Sequence, residues 1–224
     1  MATWFTADLH VGHRNIIDYC DRPFAGVDEM NRALVDNWNA TVGDDDTVWV
    51  VGDFAMGTIA ETLPIAGELV GHKILLAGNH DRCWVGNGRR AEGWTERYLL
   101  AGFDEVVQGT AEVTIGGRSV LLCHFPYRGD SHEHDRFVDE RPVDTGRWLV
   151  HGHVHEKWAQ HGRMINVGVD VCGFRPLGEH EIAALIEAGP RDLVVHDEAL
   201  RARETDEPGR PIVRRFPPVA GTGS

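Results

Sequence analysis

The sequence predicts an α/β sandwich that contains a mixed β-sheet, and two observations support this prediction. In the first half of the chain, short β-branched or aromatic segments alternate with segments of helical periodicity. The second half consists mostly of strand-like segments. A chain of 224 residues can bury one substantial core and has little room for a second full domain.

In the first half, short apolar runs bounded by turn residues predict strands over residues 3–7, 47–51 and 73–77. Between the first two strands, residues 28–42 are predicted to be helical, because apolar side chains recur at every fourth position. A further helix is predicted to begin at Thr58, since Thr58 and Glu61 match the capping-box pattern. Strands and helices therefore alternate as far as residue 77.

In the second half, residues 112–115 and 118–123 are predicted to form a β-hairpin, because the dipeptide Gly116-Gly117 separates them. Residues 147–151 are predicted to form another strand, and residues 164–171 a last buried one. These segments complete a fold dominated by strands.

The apolar pattern fades after about residue 187, where prolines and charged residues become frequent. We therefore expect one domain over residues 1–186. Residues 187–224 are expected to form a C-terminal extension that is partly disordered.

Polar side chains follow five of the predicted strands. In chain order these motifs are Asp8-Leu9-His10, Gly52-Asp53, Gly78-Asn79-His80-Asp81, His124 and Gly152-His153-Val154-His155. Ligands of open α/β sheets bind at the carboxyl ends of the strands, so we expect these side chains to meet in one site. Carboxylate, amide and imidazole groups suit divalent transition metals. The sequence therefore predicts a metal site at the carboxyl ends of the strands.

The spacing within two of these motifs predicts that their side chains converge. Alternate residues of an extended segment face the same way, so Asp8 and His10 are expected to point to one side, as are His153 and His155. The carboxylate of Asp53 has two oxygens and can bridge two cations.

Taken together, the five ordered motifs resemble the full signature of the calcineurin-like metallophosphoesterases, in particular small members from bacteria and phages. The resemblance covers about residues 1–186 and implies a four-layer α/β/β/α sandwich of mixed β-sheets. It also implies two metal ions, the first held by Asp8, His10 and His155, the second by Asn79, His124 and His153, with Asp53 bridging them. His80 would face the substrate, and Asp81 would fix the tautomer of the His80 ring and raise its basicity.

Such a centre suits phosphoryl transfer. Two cations about 3.5–4 Å apart can hold the attacking and leaving oxygens, and a hydroxide that bridges them can act as the nucleophile. A general acid such as His80, which would protonate the leaving alkoxide, contributes ~10²–10⁴-fold to the rate. Mn²⁺ is the favoured metal, but Fe, Zn²⁺, Co²⁺ and Ni²⁺ are compatible with the same ligands, because affinity order alone does not select one of them.

The predicted function is a metal-dependent phosphoesterase that hydrolyses a P–O bond of a small phosphoester, with nucleotide phosphodiesters, including cyclic ones, favoured. A phosphomonoesterase and a dinucleotide polyphosphate hydrolase remain alternatives. A metal-binding scaffold without catalysis is disfavoured, because His80 and all seven ligands are present. His13 and Arg82 are candidate substrate contacts, although His13 could instead start the first helix and Arg82 could be a solvated surface residue.

The net charge and the cysteines indicate which binding partners and which cellular compartment to expect. A net charge of −13 argues against binding to long nucleic acids or anionic membranes, which requires clustered Lys and Arg. A small phosphorylated substrate remains compatible, since bound cations reverse the local field. The four cysteines form no C-x-x-C pair, and neither a signal peptide nor a long apolar run is evident. We therefore expect a soluble cytoplasmic protein, and the oligomeric state stays open.

Overall fold

The computed structural model describes residues 1–194. Its strands are β1 Thr3–Thr6, β2 Thr47–Val50, β3 His72–Leu76, β4 Glu105–Val107, β5 Thr110–Ile115, β6 Arg118–Cys123, β7 Leu149–His151, β8 Gln160–Gly162, β9 Met164–Asn166, β10 Leu177–Gly178 and β11 Arg191–Leu193. Its α-helices are α1 Arg14–Tyr19, α2 Val27–Asn39, α3 Ile59–Thr62, α4 Trp94–Ala101 and α5 Glu179–Ala188.

These strands form two sheets, and both are mixed. The first sheet has the order β10-β1-β2-β3-β4, with β1 to β4 parallel and β10 antiparallel. The second has the order β11-β8-β9-β7-β6-β5, in which β6, β7 and β9 run parallel. A bridge between Ala7 and Gly168 joins the two sheets just beyond the end of β1. The predicted α/β fold with mixed sheets is confirmed.

Side chains of β2 alternate between two buried clusters, as the period of a strand requires. Val48 packs in the cluster that contains Leu34 of α2, on the helical side of the first sheet. Val51, directly after β2, packs with Leu122 and Val150 of the second sheet. Helix α5 contacts β1 and β10 of the first sheet and β5 of the second. The first sheet is therefore covered on both faces, and polar side chains can gather only at the strand ends.

Two sequence-based predictions differ from the structure in detail. The strand expected over residues 164–171 ends at Asn166, whose side chain accepts a hydrogen bond from the Gly168 amide and turns the chain. Helix α3 begins after Thr58 as expected, but no side-chain hydrogen bond from Thr58 caps it. The capping-box prediction was therefore wrong. Helix α3 has only four residues and continues directly into a 3-10 helix that contains Pro64.

The predicted boundary after residue 186 falls inside α5, which ends at Ala188. Strand β11 follows and pairs antiparallel with β8 at the edge of the second sheet. The rest of the predicted extension, residues 195–224, lies outside the described residues. Within residues 1–194, no helix combines the length and the apolar character that crossing a membrane requires.

Candidate metal centre

The loops that leave β1 and β7 bring three predicted ligands together. Nε2 of His10 and Nε2 of His155 lie 3.1 Å apart. Oδ1 of Asp8 lies 3.9 Å from the first of these nitrogens and 3.7 Å from the second. Two imidazole nitrogens and a carboxylate oxygen therefore surround one point, and these three residues form a group that could hold a metal ion.

A second group forms where the loops after β2, β3 and β6 meet. Nε2 of His124 lies 3.4 Å from Oδ2 of Asp53 and 3.2 Å from Oδ1 of Asn79. The ring of His153 lies against that of His124, with 5.3 Å between the centroids. Oδ2 of Asp53 is also 3.8 Å from Nε2 of His10, so this oxygen faces both groups. Asp8, Asp53 and His124 likewise form a group of candidate metal ligands.

The backbone at the predicted ligands is unusual. Eight non-glycine residues of the described chain have positive φ angles. Five of them are predicted ligands: Asp8 (56°), His10 (50°), Asp53 (58°), His153 (72°) and His155 (49°). Such left-handed conformations cost energy and cluster at functional sites. The side chains of Asp8 and His10 do converge, but the reason given by the sequence was wrong, since neither residue is in an extended conformation.

The buried carboxylates of Asp8 and Asp53 each have one oxygen held by the backbone and one without a hydrogen-bond partner. Oδ2 of Asp8 accepts the amide of His153 at 2.9 Å, and Oδ1 of Asp53 accepts the amide of His80 at 2.8 Å. Oδ1 of Asp8 and Oδ2 of Asp53 have no partner within the described chain. Burying such atoms is unfavourable, and a divalent cation among the imidazoles would compensate both. The residues present therefore fit a metal.

The protonation of the histidines agrees with this fit. Burial lowers the pKa of His10 well below its usual value, so its ring is neutral and can donate a lone pair. Burial would also lower the pKa of His124, but the charge of Asp53 raises it to about 9. Nδ1 of His124 lies 2.9 Å from the carbonyl oxygen of Val51 and donates to it, so the second proton is on Nε2, which faces Oδ1 of Asn79 and Oδ2 of Asp53. A cation would replace that proton, and its binding would release protons.

Glycines let the loops approach one another at this edge. At Gly52, where φ is 90°, an added Cβ would collide with the ring of His124. At Gly152, an added Cβ would lie 2.6 Å from Oδ2 of Asp8. Both glycines are therefore needed for close contact rather than only for turning the chain.

The amino-acid sequence also matches a family model, and this match is consistent with a metal site. The model of the calcineurin-like phosphoesterase superfamily domain matches residues 1–187. The chain belongs to the calcineurin-like phosphoesterase superfamily. The resemblance inferred from the five motifs is thereby confirmed, and members of this superfamily generally bind divalent metals.

Individual relatives extend the likeness over most of the chain. The Gene 66 protein of Mycobacterium phage L5 is 36% identical over 209 residues, which cover 87% of this chain and 98% of the phage protein. Uncharacterized protein MJ1445 of Methanocaldococcus jannaschii is 27% identical over 203 residues, covering 87% and 96%. The solved structure of AQ665 from Aquifex aeolicus, a protein of unknown function, matches with a TM-score of 0.63 and 27% identity, covering 82% of this chain and 98% of that one.

Among the residues of this phosphoesterase, Asp81 does not have the expected contact. Its carboxylate is fully buried and accepts the amides of Asp53 (2.8 Å), Phe54 (3.1 Å) and Gly78 (2.8 Å). No hydrogen bond or ion pair joins it to the His80 ring in residues 1–194. The expectation that Asp81 fixes the tautomer of that ring was therefore wrong. Asp81 instead fastens the two loops that carry Asp53 and Asn79, because its oxygens are taken up by their backbone amides.

The remaining predicted site residues of the phosphoesterase lie around the predicted ligands. The exposed ring of His80 is 5.4 Å from that of His10. His13 precedes the first residue of α1 without a side-chain capping bond, and its ring lies 5.7 Å from His10, so it both starts the helix and borders the site. The side chain of Arg82 is exposed and forms no ion pair with any described residue.

Sequence reasoning missed three residues that support the predicted ligands of this phosphoesterase, two by direct contact and the third, Asp170, through Arg22. Arg22 donates to the carbonyl oxygens of Asp8 (2.8 Å) and Leu9 (2.9 Å) and pairs with Asp170. Asp130 lies 3.1 Å from the ring of His153. Neither Arg22 nor Asp130 lies in a sequence motif, so no local signal marked them.

Proposed function

We propose that this calcineurin-like phosphoesterase hydrolyses a P–O bond of a small phosphoester with the help of two divalent cations, of which Mn²⁺ is the favoured one. One observation supports this proposal above all. Two buried carboxylate oxygens without partners, on Asp8 and Asp53, face the imidazoles of three strand-end loops. A protein interior tolerates this only when a cation or a proton is bound there.

The contacts support a division of the ligands into two sets. Asp8, with one oxygen already hydrogen-bonded, offers the other to the ion that His10 and His155 would hold. Asn79, His124 and His153 would hold the second ion. Asp53 would bridge the two, because its Oδ2 lies between one imidazole of each set, at 3.8 Å and 3.4 Å.

Cations bound in such a site supply a deprotonated water as nucleophile and stabilise the charge on the phosphoryl oxygens. The protein itself supplies the leaving-group proton. His80 suits this role because its amide is anchored to Asp53 whereas its exposed ring is free to reach a bound substrate. Donation from His80 to the leaving alkoxide completes the hydrolysis.

A nucleotide diester, cyclic or linear, is the proposed substrate class. The rings of His10, His13 and Tyr19 follow one another outward, with centroids 5.7 Å and then 6.1 Å apart. Tyr19 is 69% exposed, so its face is available to a planar group such as a nucleobase. The net charge of −13 disfavours a long polyanion, which would need a basic track extending beyond the centre.

A substrate panel tests this function. Chelated protein is reloaded with Mn²⁺, Fe²⁺, Zn²⁺, Co²⁺ or Ni²⁺ and assayed on cyclic nucleotides, dinucleotides, nucleoside monophosphates, dinucleotide polyphosphates and long single-stranded DNA. We expect metal-dependent turnover with the highest kcat/KM on nucleotide diesters. Asp53→Asn should abolish turnover, whereas the matched variant Asp45→Asn, on an exposed loop, should not.

The outcomes separate the alternatives. A preference for monoesters or dinucleotide polyphosphates would agree with the proposed metal-dependent hydrolysis but would replace the proposed substrate class. A higher kcat/KM per bond on the polynucleotide would replace the proposal with a nuclease. No turnover by a protein that binds two ions would indicate a scaffold.

We also propose a reducing compartment, the cytoplasm, for this enzyme. All four cysteines are buried and free. Free thiols are typical of proteins kept reduced.

A further inference from the structure

The carboxylate of Asp130 contacts the predicted metal ligand His153 on the side of the ring that does not face the other ligands. Its Oδ2 lies 3.1 Å from Nε2 of His153, and its side chain is fully buried. Two arginines lie against this carboxylate, so it is ionised and can only accept hydrogen bonds. Nε2 of His153 must therefore carry the proton, which leaves the lone pair on Nδ1.

The segment around Asp130 is folded so that the carboxylate cannot turn away. Oδ1 accepts bonds from Nε (3.1 Å) and Nη2 (2.9 Å) of Arg136 and from the amide of His132 (3.0 Å). Oδ2 accepts the amide of Arg136 at 2.9 Å and lies 3.6 Å from Arg141. We name residues 130–141, in the connection from β6 to β7, the Asp130 segment.

An aromatic residue of the same segment covers the ligand from another side. The ring of Phe137 meets that of His153 edge to face at 5.6 Å and also packs on Phe125. Phe137 has a φ of 53°, a conformation that a bulky side chain adopts only when its surroundings hold it. The ring of His153 is thus fixed by one hydrogen bond and one packing contact from the same segment.

The structure contains a second example of the same arrangement. In His124, the nitrogen that does not face the ligands donates to the carbonyl oxygen of Val51 at 2.9 Å. A hydrogen bond to the outer nitrogen of a metal-binding histidine sets its tautomer and its orientation. A carboxylate partner also raises the basicity of the ring. His124 and His153, the two histidines predicted to hold the second ion, thus each have a partner on the outer nitrogen. The partner is a backbone carbonyl for His124 and a carboxylate for His153.

We propose that Asp130 is a positioning residue for the second metal ion, which it acts on by holding His153 with Nδ1 directed at the cation. This inference rests on the proposed two-ion centre. It assigns the Asp130 segment to the metal site although none of its residues would be a ligand. It follows that binding of the second ion depends on a carboxylate from the connection between β6 and β7, outside the five strand-end motifs.

Metal titration of the chelated full-length protein tests the proposal. Mn²⁺ binding is measured by calorimetry and by the electron paramagnetic resonance of free Mn²⁺ for wild type, Asp130→Asn, Asp130→Ala and Asp135→Asn. Asp135 is the matched control, since it lies in the same segment and pairs with Arg141 at 3.0 Å but is half exposed and does not contact His153.

We expect the first-ion affinity to be unchanged in all four proteins. The second-ion affinity should fall about 10-fold in Asp130→Asn and up to about 100-fold in Asp130→Ala, and should stay the same in Asp135→Asn. An unchanged second affinity in Asp130→Ala, or equal losses for both ions, would overturn the positioning role. Wild type that binds fewer than two ions would instead overturn the proposed function, and this inference with it.

A measurement on wild type keeps the inference testable if the Asp130 variants do not fold. Nitrogen-15 spectra of the histidine rings, with His153 assigned through His153→Gln, report which nitrogen carries the proton in the metal-free protein. We expect the proton on Nε2. A proton on Nδ1 would contradict the inference, because that nitrogen could not then face a cation.

Discussion

The two sides of the proposed metal centre are supported by similar pairs of charged residues that occupy very different places in the fold. On the first side, Arg22 and Asp170 form a buried ion pair, and the guanidinium also holds the backbone carbonyls of the turn that carries Asp8 and His10. On the second side, Asp130 pairs with Arg136, which is 38% exposed, and directly contacts the ring of the predicted ligand His153. The Arg22–Asp170 pair lies in the interior and holds the backbone, whereas Asp130 lies in a loop and holds a side chain.

This difference shows how the protein stabilises the unfavourable left-handed backbone of its predicted ligands. Left-handed backbone at Asp8 and His10 costs on the order of 1–3 kcal/mol per residue, and the contacts of Arg22 to the carbonyls of Asp8 and Leu9 offset part of that cost. His153 is also left-handed, but its amide is already held by Asp8. Only the direction of the His153 ring remains to be fixed. The first side therefore depends on folding of the core, whereas the second depends on one loop.

The largest effect, on the free energy of unfolding, is expected from breaking the buried Arg22–Asp170 ion pair. Asp170→Ala should leave Arg22 buried without its partner, so the free energy of unfolding of the metal-free protein should fall by about 3–5 kcal/mol. First-ion affinity should fall with it, because the turn that carries Asp8 and His10 loses its anchor. Urea unfolding and Mn²⁺ titration measure the two quantities.

The double variant Arg22→Met/Asp170→Leu sharpens this test. Replacing both partners by apolar residues should restore most of the stability, since no charge is left unpaired. First-ion affinity should stay low, because Met cannot donate to the two carbonyls. If the double variant recovers both quantities, Arg22 supports the fold alone, and the contrast between the two sides disappears.

A second effect, on the rate rather than on the fold, is expected at His80. His80→Ala should keep both ions and the stability within about 0.5 kcal/mol, because the ring is exposed. Turnover of alkyl esters should fall ~10²–10⁴-fold, and that of nitrophenyl esters much less, since a good leaving group needs little protonation. Equal losses on both ester types would show that His80 orients the substrate and does not protonate the leaving group.

How much of this site could be predicted from the sequence depends on the range of each contact. The ligands could be predicted because a polar residue directly after a buried strand is a local signal, as at Asp53 and His124. Arg22 and Asp170 meet across 148 positions, and Asp130 and His153 across 23. No propensity or spacing encodes such pairs. Only the folded chain shows which charged residue faces which ligand.

Backbone conformation was the other limit of sequence analysis. The spacing of Asp8 and His10 predicted convergence through an extended segment, yet both residues are left-handed. Asp and His adopt left-handed conformations more readily than most residues, but tertiary contacts select which of them do so. For the same reason Asp81, adjacent to His80 in sequence, points at the loops of Asp53 and Gly78 instead of at its neighbour.

The smallest effect is expected far from both supports, at β11. Strand β11 is separated from β7, which leads to the predicted ligands His153 and His155, by β8 and β9. It contributes the half-buried Leu193, edge hydrogen bonds and a partly exposed ion pair between Asp192 and His161. Truncation after Gly189 should therefore lower the free energy of unfolding by about 1–3 kcal/mol and leave kcat/KM and both ion affinities unchanged. Truncation after Val194, which keeps β11, is the control that isolates the strand. Loss of an ion in the shorter protein alone would mean that the second sheet transmits strain from its edge to His153, and the ligand geometry would then not be local.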